Sequence, residues 1–212
     1  MKEHELISLI GMSGSGKSHW SSKLQERGFE RFCCDDLIEA RLGRELKSLR
    51  YSGIQDVARW MGQPFDPQYG RTSQRYLDFE GEVVREVLAT IEQSASHRDT
   101  VIDTTGSVIY LANDILQGLR TRTRVVYLET PDSVKKEMYR LYLADPKPVI
   151  WGSSFLREDG ETNMQALSRC YPLLLAYRTA RYARFAHITF DYDTLRSPDF
   201  TVDNFMDKVS VV

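Results

Sequence analysis

Eight residues, Gly11-Met12-Ser13-Gly14-Ser15-Gly16-Lys17-Ser18, follow an apolar run at 5–10 and fit G-x-x-x-x-G-K-[ST] at every position. Glycines let such a loop turn its backbone amides inward around a phosphate. The helix expected next, beginning at Lys17 and carrying His19 in its first turn, adds the positive end of its dipole. Lys17 places a point charge between the β- and γ-phosphates, and the Ser18 hydroxyl can ligate Mg²⁺. The implied chemistry is binding of a nucleotide's phosphates with Mg²⁺, which kinases, GTPases and ATPases share.

Carboxylates stand where that chemistry needs them. Asp35 and Asp36 close a second apolar run at 29–34, and the end of a parallel strand beside such a loop is where ligands bind. At least one is expected to hold metal or to take the acceptor hydroxyl proton. Asp103 ends a third run, 100–103, and is expected to hold Mg²⁺ through water. Thr104, Thr105 and Gly106 follow it, with the two hydroxyls placed either to touch the acceptor or to cap a helix. Arg140 is expected to stack on adenine. Lys147 and Arg157 are candidates to close over the phosphates.

These residues need a scaffold. Strand-like runs at 5–10, 29–34, 100–103, 123–130 and 187–192 alternate with helical stretches. Helices are expected at 17–27, 35–43, 73–95, 108–119, 132–144 and 164–186, with a closing helix after Thr201. The expected fold is α/β: a three-layer sandwich around a five-stranded parallel sheet, built as one domain over 1–212. Residues 44–72, rich in glycine and proline, form a helical or loop excursion. Residues 145–163 form a turn-rich lid, needed because water must be excluded from a phosphoryl transfer. Trp60, Trp151 and Phe155 either close the acceptor pocket or pack in the core.

The order and spacing of LIGMSGSGKS, DDLIEARLG, VVYLE, KPVI and Arg178 with Tyr182 in RTARYARFA resemble the shikimate kinases over most of the chain. The resemblance implies a P-loop kinase in which Asp35 helps hold Mg²⁺ and Asp36 orients the acceptor hydroxyl. It places Lys147-Pro148-Val149-Ile150 at the lid's Arg-Pro position. It makes Arg178, one helical turn before Tyr182, the arginine that meets an acceptor carboxylate. Two departures stand out. The family's three glycines after strand three are here Thr104-Thr105-Gly106. Its second substrate arginine, three residues before a glutamate, falls on Leu77 when Glu80 is aligned to that glutamate.

Other functions are disfavoured. The net charge of −2 predicts neither a nucleic-acid nor a membrane-surface partner, and no apolar run reaches the length of a membrane span. The first residues lack a signal-peptide pattern, and three cysteines make no disulfide framework, so a cytoplasmic protein is expected. His4, His19, His97 and His187 lack metal-ligand spacing. No N-K-x-D sequence marks a GTPase. The alternatives to a small-molecule kinase are a non-catalytic ATP-binding regulator and a nucleoside or nucleotide kinase. Acceptor identity and oligomeric state are left open.

Overall fold

Five apolar runs form strands, and a helix follows each. In the computed structural model, which describes residues 4–93, 98–144 and 147–210, β1 spans Leu6–Ile10, β2 Glu30–Cys33, β3 Thr100–Asp103, β4 Arg124–Leu128 and β5 Ile188–Phe190. All pair in parallel, in the order β2-β3-β1-β4-β5. β1 is central, with Leu9 opposite Asp103 of β3 and Ile10 opposite Tyr127 of β4.

The pleat divides the core in two. Ile7, Leu9, Val101, Val126 and Leu128 pack with Trp20 and Leu24 of α1 (Lys17–Glu26) and Phe205 and Val209 of α8 (Val202–Ser210). Ile10, Ile102, Val125 and Tyr127 pack toward α2 (Cys34–Ser48), α4 (Tyr69–Gln93), α5 (Asn113–Arg122) and α7 (Asn163–Phe185). The remaining helices are α3 (Ile54–Met61) and α6 (Asp132–Ala144). The expected three-layer sandwich is observed.

Some boundaries differ. A helix expected to stop at Gly43 runs to Ser48. Glycine inside a helix costs about 1 kcal/mol, but Leu42 and Leu46, one turn apart and both buried, carry α2 past it. Residues 44–72 contain the last turn of α2, all of α3 and the first turn of α4, so the excursion is helical. The helix expected over 108–119 is broken: a 3₁₀ turn at Val108–Tyr110 precedes α5, and Leu111 is extended. Cys34, expected at the end of β2, opens α2 instead.

Residues 145–146 and His97 lie outside the described residues, so the stretch expected to form a lid is described from 147 onward. Its first part is held down. The Tyr69 hydroxyl donates to Val149 O (3.0 Å) and accepts from Trp151 N (2.8 Å), while Arg178 Nη2 donates to Ile150 O (2.7 Å). Ile150 and Trp151 are buried; exposure resumes at Gly152. Among the described residues, no helix is long and apolar enough to cross a membrane.

Candidate active site

The C-terminal ends of β1, β2 and β3 converge on one cleft of about 530 Å³. The loop after β1 forms its floor. Gly11 has φ +146, and a Cβ there would lie 2.7 Å from Leu128 O and 2.8 Å from Ser15 Oγ. Only glycine lets the chain leave the sheet there. Gly16 is left-handed at φ 107 and starts α1 directly on Lys17.

Lys17 Nζ donates to Gly11 O (3.0 Å) and Met12 O (3.1 Å). Burial lowers its pKa, against the opposing pull of Asp103 and Asp35. Met12, Ser13, Gly14, Gly16, Ser18 and His19 also line the cleft. Gly11 and Ser15 lie behind them, and the buried Ser15 Oγ has no partner among the described residues.

Asp35 and Asp36 lie in the first turn of α2, facing the loop across the cleft. Burial raises the pKa of Asp35 against the pull of Lys17, and the Tyr76 hydroxyl donates to its Oδ1 at 3.2 Å. Cys33 lines the cleft too, but burial pushes its thiol up to about 12, which leaves it unionised and a poor nucleophile.

Arg178 reaches the opposite wall from α7, only 6% exposed. One nitrogen is committed to Ile150 O, while Nε is buried without a partner. Its guanidinium lies 5.5 Å from the Tyr110 ring. A Cβ on Gly106 would sit 3.4 Å from Nη1 and 3.6 Å from Ser13 N. Tyr182, one turn on, donates to Gly106 O. The four-residue spacing of Arg178 and Tyr182 thus brings both side chains onto the Gly106 backbone. Thr105, Gly106 and Lys147 line the same cleft.

Three expected residues stand elsewhere. Asp103 is buried behind the loop, where its Oδ2 accepts from Ser21 Oγ (3.0 Å) and Arg31 Nη2 (3.1 Å). It does not line the cleft; Arg31 of the adjacent strand β2 pairs with it, and Arg31 itself lines the cleft. Arg140 lies on an exposed face of α6, paired with Glu137, and lines no cavity beside the loop. Thr104 donates to Leu9 O at 2.7 Å and serves the sheet. Trp151 is core, stacked edge-on with Tyr142, Phe155 and Tyr171.

Sequence reasoning missed Arg31, Tyr76, Ser107 and the chemistry of Glu80. Glu80 occupies the buried stripe of α4 with Tyr76, Val83, Val84 and Val87. A carboxylate on an apolar stripe is the signal that could have found it. Also missed was a second hollow of about 440 Å³ on the other side of the loop, which shares Gly16 and His19 and is closed by Arg196 and Pro198. Arg196 stacks 3.4 Å from the Tyr192 ring and donates to Gly14 O at 3.3 Å.

The family model described as "AAA domain" matches residues 6–141, which carry β1 through β4 and the phosphate loop. The chain belongs to this AAA-domain family. No curated protein matches it. Among solved structures, this AAA domain is similar to a shikimate kinase from Acinetobacter baumannii in complex with shikimate: 22% identity and TM-score 0.60 over 98% of this chain and 92% of that one. A shikimate kinase from Aquifex aeolicus gives 18% identity and TM-score 0.60 over 96% and 95%. One from Bacteroides thetaiotaomicron gives 17% and 0.57 over 96% and 93%. The fold of this AAA domain is that of a shikimate-kinase-like P-loop protein.

Proposed function

We propose that the whole chain works as one kinase domain, transferring the γ-phosphoryl group of ATP to a hydroxyl of a small metabolite. One observation carries this reading. A single cleft joins the phosphate loop and Lys17 to the paired carboxylates Asp35 and Asp36 and to a buried arginine with an unsatisfied N–H.

The residues fit a nucleotide and its metal. The loop offers inward amides, the orphaned Ser15 hydroxyl and an ammonium group already folded against it. Ser18 and Asp35 line the cleft together with Lys17, and a hydroxyl with a carboxylate is an oxygen donor set of the kind Mg²⁺ takes. Asp103 supports the metal site only indirectly, because Arg31 occupies it. The hollow between His19 and Arg196 has the size and the cationic edge for the base. Mg²⁺ would supply neutralisation of charge as the phosphoryl group leaves.

The chain's own groups do the rest. Lys17 exchanges its loop carbonyls for phosphate oxygens. Asp36 orients the acceptor hydroxyl and takes its proton. Arg178 turns its free N–H toward an acidic group of the acceptor. The stretch expected to close is tied at its root, 149–151, and beyond Trp151 by Phe155 packed on Trp151 and by Arg169 bonded to Leu156 O and Glu161, so closure has to rearrange those contacts.

The test is ADP release with MgATP and a panel of cyclic and linear polyols, sugar acids and nucleosides. Acceptor-dependent release that Lys17→Ala lowers about 100-fold or more supports the reading. Unchanged turnover in that variant overturns it, and ATP binding with no acceptor effect favours a regulator instead. A nucleoside as the best acceptor would favour the nucleoside-kinase alternative.

A further inference from the structure

Behind the acceptor side of the cleft, Glu80 is fully buried and belongs to no step described above. It faces two hydroxyls that do line the cleft, Thr105 and Ser107, which are 2% and 6% exposed. Thr105 Oγ1 hydrogen-bonds Glu80 Oε1, and Ser107 Oγ hydrogen-bonds Glu80 Oε2 at 2.6 Å. The two hydroxyl oxygens are themselves 2.9 Å apart, and Ser107 N donates to Thr105 Oγ1 at 3.0 Å. These contacts close a ring: carboxyl, threonine hydroxyl, serine hydroxyl, carboxyl.

Proton counting decides what such a ring shows to a ligand. A hydroxyl has one proton and two lone pairs. With Glu80 ionised, both hydroxyl protons point inward to it. Thr105 Oγ1 keeps one free lone pair after accepting from Ser107 N, and Ser107 Oγ keeps two. With Glu80 neutral, its proton runs around the ring, Thr105 Oγ1 is saturated, and Ser107 Oγ keeps one. In neither state is a hydroxyl proton available to the cleft.

We infer that Glu80 is a positioning residue that makes Thr105 and Ser107 an acceptor-only patch, so the group seated there must be a donor, a hydroxyl or an ammonium, and not a carbonyl or carboxylate. This deepens the kinase reading and rests on it: the acceptor carries its acidic group toward Arg178 and a hydroxyl or amine toward Ser107. Ionisation of Glu80 strengthens the patch. Burial pushes the Glu80 carboxyl up to about 7, the hydroxyls pulling the other way. The titratable groups facing it are Cys34 and Asp35 from α2, Tyr76 on its own helix, and Arg178 and Tyr182 from α7. Asp114 of α5 and Asp56 of α3 are paired with Arg85 and Arg59.

Glu80→Gln imitates the neutral ring permanently, since its amide donates to one hydroxyl and its carbonyl accepts from the other. The expected result, with the best polyol of the panel, is a wild-type KM that falls about 2- to 10-fold from about pH 5.5 to about pH 8.5. Glu80→Gln should match wild type at the acid end and stay flat, with kcat little changed. A ketone in place of the seated hydroxyl should raise KM. A Glu80→Gln profile that tracks wild type, or a ketone that binds as well, overturns the inference. Infrared difference spectra of the free protein give a second reading. A protonated carboxyl band should fade across the same pH range, be absent in Glu80→Gln and shift in Ser107→Ala. If no polyol is phosphorylated, the kinase reading fails by itself, and a band indifferent to Ser107→Ala then overturns the ring.

Discussion

Arg31 and Asp103 show how one side chain changes the role of another. Asp103 stands at the end of β3, where a carboxylate could reach a metal, yet its Oδ2 is taken by Arg31 and Ser21. Arg31 also donates to Ser21 Oγ at 2.8 Å, so the three make a closed network between β2, α1 and β3. Removing the guanidinium leaves a carboxylate, 3% exposed, with a single hydroxyl partner. Arg31→Ala should therefore cost about 2 kcal/mol of unfolding free energy, read as a lower urea midpoint. An unshifted midpoint would show the pair to be energetically idle. Arg178 is similarly divided: one nitrogen is bonded to Ile150 O, and the buried Nε has no partner among the described residues.

The elements around the cleft differ in how firmly they are tied. Tyr69, in the first turn of α4, holds the segment at 149–151 through a single hydroxyl. Tyr69→Phe removes both bonds and keeps the ring's packing. The Trp151 amide should then exchange about 10-fold faster, while amides in β1 stay protected. Equal exchange in both proteins would mean the segment is held by the burial of Ile150 and Trp151 alone. In α2, Gly43 has a helical backbone and nothing within 4 Å of an added Cβ. Gly43→Ala should stabilise the protein by about 0.5–1 kcal/mol, seen as a higher melting temperature. A lower one would mean the glycine serves a contact that the helix does not reveal.

For the whole molecule, the buried carboxyls set a pH dependence of stability. Glu80 holds its proton more tightly when folded, about 7 against 4.5 when free. Its contribution is therefore complete below the free value and is lost as pH rises through about 7. The full span is about 3 kcal/mol. Asp35, raised by burial, acts in the same direction. His19 and His187, lowered by burial, act the opposite way over an overlapping range. The informative measurement is thus the difference between wild type and Glu80→Gln, which should widen in favour of Glu80→Gln as pH rises from about 5 to about 8. A constant difference would place the Glu80 carboxyl at its ordinary value.

The phosphate loop, the strand–helix alternation and the two aspartates after β2 were legible in the chain because each depends on neighbours in sequence. A glycine's dihedrals, a helix start and an apolar period are local properties. Arg178 was legible only through its spacing to Tyr182. What the chain alone could not reveal was which side chains meet across the sheet. Arg31 and Asp103 are 72 residues apart, Glu80 and Ser107 27, and Arg178 and Ile150 28. Parallel pairing and the crossing of α4 and α7 over the sheet bring these pairs together. That placement turned one expected metal ligand into half of an ion pair, and a buried glutamate into the hydrogen-bond partner of two hydroxyls that line the cleft. Burial did the rest: the same carboxyl has different acidity and different partners once water is removed, and only the tertiary structure removes it.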